Sequence, residues 1–191
     1  VNSQGSENSS DRILAAATQI AQARGYGGLN VRALAEQVGI KAASLYHHFP
    51  SKAALAAAVA RRYWQDAQAR LNTLAAGSQD PRERLRRYPQ TFRIALENDN
   101  RMCLCSFMAA EYDDLPGEVQ DEVRTFSEVN IDWLTEQLVQ ADFVRPEHAR
   151  ARAESIFAAV AGAQLMARGR ADIAFYDASI ASYQAAGLLP A

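Results

Sequence analysis

The sequence predicts an all-α protein: an N-terminal three-helix helix-turn-helix head followed by a C-terminal helical bundle. Three observations carry this. Alanine and leucine, both strong helix formers, dominate the apolar positions. Apolar residues recur at three- and four-residue spacing in one segment after another, and no stretch alternates as a strand would. Glycine, proline and short polar residues fall between those segments, where helices start and stop. A chain of 191 residues has room for a sizeable core in one large or two small domains.

The elements follow in order. Residues 1–10, VNSQGSENSS, are polar and predict a flexible leader. Ile13, Leu14, Ala17, Ile20 and Ala21 form a stripe that predicts a helix over 11–24, ended by Gly25. Asn30 suits an N-cap, and Val31, Leu34, Ala35 and Val38 give a short second helix over 31–38. Gly39 ends that helix in a tight turn that calls for positive φ. Leu45 and Phe49 then share one face of a third helix, about 42–48. Pro50 closes it, and Ser51 caps a fourth that reaches about Ala75. Two short helices separated by a glycine turn, with a first helix to pack on, make the helix-turn-helix pattern.

Beyond Ala76-Gly77-Ser78 the helices lengthen. Asp80, Pro81 and Glu83 supply an N-cap, an N1 proline and an N3 glutamate for a helix to about Asn98, kinked at Pro89. Further helices are predicted over 102–112, from Pro116 to about Ala141, from Pro146 to about Arg168, and over 172–186 with Gly187 as the stop. Short connections suit a helical bundle. The domain boundaries expected are a leader at 1–10, a helix-turn-helix domain at 11–55 and a second domain at 56–191.

Composition narrows the function classes. No apolar run approaches the ~18 residues that would span a membrane. No secretory signal pattern is present, and two cysteines, Cys103 and Cys105, fit a reducing compartment, so a cytoplasmic protein is expected. Net charge is −2, which alone argues against a nucleic-acid partner. Its distribution argues the reverse. Residues 11–62 carry seven Lys/Arg against two Asp/Glu, whereas residues 63–191 carry thirteen against nineteen. A basic N-terminal third on an acidic body is a localised electrostatic footprint.

The stretch IKAASLYHHFPSK, residues 40–52, concentrates the chemistry. A metal site is disfavoured because adjacent His47 and His48 diverge around a helix and the remaining His148 is distant in sequence. A catalytic histidine would need a nucleophile and a pocket, and nothing in 40–55 supplies one. An anion-facing surface fits. With Leu45 and Phe49 inward, Ala43, Ser44, Tyr46 and His47 point away, since neighbours lie about 100° apart around a helix. Small outward residues admit close approach, Tyr46 and His47 can donate hydrogen bonds, and Lys52 joins the free amides at the start of the next helix. Positions 46, 47 and 52 are expected to grip phosphates while 41–44 meet a groove.

On these residues the chain resembles the TetR family of bacterial transcriptional repressors. The match runs through Ile13, Ala16, Ala17, Gly25, Tyr26, Val31, Leu34, Ala35, Val38, Gly39, Ser44, Leu45, Tyr46, Phe49, Lys52 and Leu55, with the run L-Y-x-x-F-x-x-K the most specific part. Position 30, usually threonine in that family, is asparagine here. The resemblance implies a palindromic operator read by a homodimer, with DNA contacts at Asn30, Arg32, Lys41, Ala42, Ala43, Ser44, Tyr46, His47 and Lys52. It also implies a small-molecule effector held among the middle helices, for which Cys103, Phe107, Met108, Glu111, Tyr112, Phe126, Asn130, Trp133 and Gln164 are the candidates. Segments 153–167 and 173–186 are rich in small residues, which suits a two-fold interface supplied by Ile156, Phe157, Val160, Leu165, Ile180 and Tyr183. No cofactor, metal or enzymatic activity is expected. A carrier or enzyme using Cys103 and Glu111, and a DNA-binding protein without an effector, remain alternatives, as does activation in place of repression.

Overall fold

Local chemistry sets the helix ends throughout. In this computed structural model the backbone is described for residues 3–191 and the side chains for residues 9–191. Helix α1 (Ser3–Arg24) begins before the expected Asp11. Of the segment expected as a leader, residues 3–10 are therefore helical, and Val1 and Asn2 lie outside the described residues. A polar stretch shows no stripe, but each residue added to a helix already formed needs no new nucleus. The Asn30 side chain caps α2 (Val31–Val38) by accepting from the Arg32 and Ala33 amides, and Gly39 ends it at φ 76°. Arg12 donates to the Val38 carbonyl at 2.8 Å, satisfying an orphan acceptor at that end. Helix α3 (Ala42–His48) is followed by α4 (Lys52–Ala76), whose Ser51 hydroxyl accepts the Ala54 N–H at 2.9 Å.

Asp80 caps α5 (Pro81–Arg87), and where the kink is expected the helix is interrupted at Tyr88 and Pro89, both in right-handed helical conformation, before α6 (Gln90–Glu97). The helix expected over 102–112 is shorter: α7 spans Leu104–Ala109, and the chain then tightens into a 3-10 turn at Tyr112–Asp114. Consecutive left-handed residues Asp99 and Asn100 shape the entry to it. Helices α8 (Gly117–Gln140), α9 (Pro146–Arg170) and α10 (Ile173–Ala185) complete the chain, and Gly187 takes φ 72° after the last. No strand occurs among the described residues, and none of their helices is long and apolar enough to cross a membrane.

The chain divides into two compact units, and not at residues 55/56. One comprises the chain to Gln65 with Leu104–Arg124. Its core is Ile13, Ala17, Leu34, Leu45, Leu55, Val59, Leu104, Met108 and Val119, all fully buried. The helix-turn-helix therefore shares a core with α7 and the start of α8. The other unit comprises Asp66–Cys103 and Thr125–Ala191, with α9 packed on α6 and α10. Leu71, Leu85, Tyr88, Leu134, Leu138, Ile156 and Val160 form its centre.

Candidate nucleic-acid interface

The head presents one face of α3. Leu45 is fully buried and Phe49 nearly so, which anchors the helix from behind. Ala43, Ser44, Tyr46 and His47 are exposed, Tyr46 at 47%. Ala42 and His48 are half-buried, and the His48 ring lies between those of His47 and Phe49, at 6.0 and 6.3 Å. Lys41 stands exposed at the N-cap of α3 with no side-chain cap bond. Asn30 and Arg32 are exposed at the start of α2. The Asn30 carboxamide oxygen is engaged in capping, which leaves its NH2 group as the donor.

Lys52 opens α4. Its Nζ lies 4.3 Å from the centroid of the Tyr26 ring, a cation–π contact. Burial, with Glu118 adding to it, pushes the Tyr26 phenol above its ordinary pKa. The turn that carries Tyr26 is held by Glu111, whose Oε2 accepts the Tyr26 N–H at 2.6 Å and whose Oε1 accepts the Gly27 N–H at 3.2 Å. Further along α4, Arg61 Nε and Trp64 Nε1 donate to the buried Glu122 carboxylate at 2.9 and 2.7 Å. That bond holds the Arg61 guanidinium further above its ordinary pKa. Sequence reasoning missed Tyr26, Arg61, Trp64 and Glu122 as a support for the head. Contacts between residues 58 to 85 positions apart leave no local pattern.

The expected effector residues fall in both units. Phe107, Met108, Glu111 and Tyr112 belong to the unit of the head, where Met108 is core, Phe107 half-buried and Tyr112 exposed at 52%. Cys103, Phe126, Asn130, Trp133 and Gln164 belong to the other unit and are all buried. There Tyr88 stacks on Trp133 at 5.8 Å, and Phe92, Phe126 and Phe157 make mutual ring contacts at 6.0 to 6.4 Å. Tyr88 donates to Asn130 Oδ1, whose NH2 donates to the Phe126 carbonyl. Burial, reinforced by Tyr176 and Cys103, drives the Tyr88 phenol well above its usual range. Gln164 accepts the Cys103 N–H at 3.0 Å and donates to the Phe92 carbonyl at 2.6 Å. Both buried amides are thus bonded within the protein at each end, while the buried Trp133 Nε1 has no partner in the described residues.

Three of the residues expected at a dimer interface point inward. Ile156 and Val160 are fully buried in the single chain, so a partner would find no surface there, and Phe157 packs on Phe92 and Phe126. Beyond Ser155 both faces of α9 are apolar or small, and spacing alone there does not say which faces the core, whereas the first half exposes Glu147, Arg150 and Glu154. The outward face of the second half is Ala158, Gly162, Leu165 and Met166, the last two exposed at 47% and 53%. Ile180 and Tyr183 are half-buried.

An open groove of about 620 Å³ runs along α5, α6 and α10, and none of the expected effector residues lines it. Arg93 in that groove is tied to Asp177 through two hydrogen bonds and to Glu97 by an ion pair. Among the described residues no cluster of His, Cys, Asp and Glu could hold a metal ion.

Residues 13–59 match the model of bacterial regulatory proteins of the tetR family. A TetR-family transcriptional regulator from Agrobacterium tumefaciens has a similar structure, with TM-score 0.88 and 32% identity over 95% of this chain and 98% of that one. A TetR transcriptional regulator from Legionella pneumophila aligns with TM-score 0.85 and 28% identity over 92% of this chain and 95% of that one. The reduced form of NemR from E. coli shares the fold at TM-score 0.82 and 22% identity, over 93% and 96% of the two chains. No curated protein matches the sequence.

Proposed function

The chain belongs to the TetR family of transcriptional regulators, and from that premise we propose that it is a repressor that binds palindromic operator DNA as a homodimer and leaves it when a small-molecule effector binds. One observation carries the reading: a short helix anchored from behind by Leu45 and Phe49 exposes Ala43, Ser44, Tyr46 and His47, with Lys52 next to it. Small residues let the helix enter a major groove, and the donors around it meet phosphates, which fix register on the duplex.

A single α3 reads a few base pairs. Two copies about 34 Å apart would read both halves of a palindrome, and this spacing calls for a dimer. The outward apolar face of α9, around Gly162 and Leu165, is the surface best suited to join them. An effector acts by preferring one head spacing over another, and coupling of ~1–3 kcal/mol is typical of such linkage. Selection from a random duplex pool tests the reading. The expected result is an inverted repeat whose affinity falls steeply with salt, by a log–log slope of ~0.9 per phosphate neutralised. Enrichment of no sequence, or of one without two-fold symmetry, would overturn it.

A further inference from the structure

Glu111 lies between α7 and the 3-10 turn, yet its carboxylate occupies the turn between α1 and α2, where it accepts the Tyr26 and Gly27 amides. Gly25 makes the room. It takes φ +65°, and a Cβ built there would meet Glu111 Oε2 at 2.1 Å. Successive amides after a left-handed residue form an anion-binding nest, and only glycine combines that φ with so close an approach. The nest is filled by the protein's own carboxylate.

The turn leads straight to Lys52. Tyr26, whose amide Glu111 holds, offers its ring to the Lys52 ammonium at 4.3 Å. A free lysine samples many rotamers and loses that freedom when it binds a phosphate. One already held over a ring loses less. Helix α4, which begins at Lys52, is fixed in turn by Glu122 through Arg61 and Trp64. Both carboxylates come from the segment 104–124 of the same compact unit.

We propose that Glu111 is a positioning residue for DNA binding: it locks the Gly25–Gly27 turn, the turn sets the Tyr26 ring, and the ring holds Lys52 ready for a phosphate. This rests on the DNA-binding reading above. The sign of the effect is diagnostic. On charge alone, removing a carboxylate from a DNA-binding head raises affinity for a polyanion. Positioning requires that affinity fall.

The test uses the full-length chain and a duplex enriched by the wild type from a random pool, read by fluorescence anisotropy across a salt series. Glu111→Ala is expected to bind about tenfold more weakly, with a salt slope shallower by ~0.9, one phosphate contact. Lys52→Ala is expected to do the same, and the double variant to bind no more weakly than Lys52→Ala alone. Glu111→Gln keeps one acceptor for the turn and should fall between wild type and alanine, so the comparison survives if the alanine variant melts early. Unchanged or tighter binding by both Glu111 variants overturns the proposal, as does an equal further loss in the Lys52→Ala background. Absence of any enriched duplex overturns the DNA-binding reading and this proposal together; a duplex bound equally by wild type and the Glu111 variants overturns this proposal alone.

Discussion

Helices α3 and α9 both expose small residues, but in different company. α3 has seven residues, with Leu45 alone fully inward, and its outer face mixes Ala43 and Ser44 with the donors Tyr46 and His47. α9 has twenty-five, turns Ala149, Ala153, Ile156, Val160, Ala163 and Ala167 inward, and beyond the charged Glu147, Arg150 and Glu154 shows Ala158, Gly162, Leu165 and Met166 on its outer side. Small size admits close approach in both. What differs is what surrounds it: polar donors suit a charged, hydrated partner, and bare apolar carbon suits another apolar surface. The kind of partner is written in the larger residues beside the alanines.

That contrast is open to a reciprocal test. Leu45→Ala removes the anchor of α3 and should cost ~2–5 kcal/mol of head stability, abolishing DNA binding while the chain still self-associates. Leu165→Arg, on an exposed position, should change folding stability by only ~0.5 kcal/mol yet reduce the sedimenting mass to that of one chain. Loss of self-association in Leu45→Ala, or a dimer intact in Leu165→Arg, would break the distinction.

Legibility followed the same line. Asn30, Ser51 and Asp80 each cap the helix they were expected to cap, because capping is local chemistry. Gly39 and Gly187 have the left-handed φ that a helix stop calls for. Leu45 and Phe49 could be placed inward because the rest of α3 is polar or small. Val160 could not, because the opposite side of α9 there is Ala158, Gly162 and Leu165, whereas Glu147, Arg150 and Glu154 opposite Ile156 did mark the outer side of the first half. Glu111 was expected as an effector contact and not as the partner of the Tyr26 and Gly27 amides, since a contact across 85 positions depends on tertiary packing alone. The interruption at Pro89 was legible from the proline itself, but the Tyr176 hydroxyl that donates to the Pro89 carbonyl there at 2.8 Å was not.

A smaller effect sharpens the picture of the body. Hydrogen bonding from Arg93 holds the Asp177 carboxyl below its usual pKa, with burial opposing. A carboxylate whose pKa is depressed in the folded state contributes stability above its unfolded value, near 4, and loses that contribution as pH falls through the folded value. Asp177 is half exposed, so the contribution is at most ~1 kcal/mol. Asp177→Asn should therefore melt slightly lower than wild type at pH 7 and converge with it as pH falls through the depressed folded-state value. Melting curves that stay equally separated through that fall would remove the ion pair as the cause.

The measurement that bears most directly on the central claim is the affinity of the Tyr46→Ala/His47→Ala double variant for the enriched duplex, taken beside its melting temperature. Both side chains project from α3 without entering the core. Affinity should fall at least about tenfold, the size of one or two lost polar contacts, with melting unchanged. Wild-type affinity in that variant would mean that another surface reads the DNA.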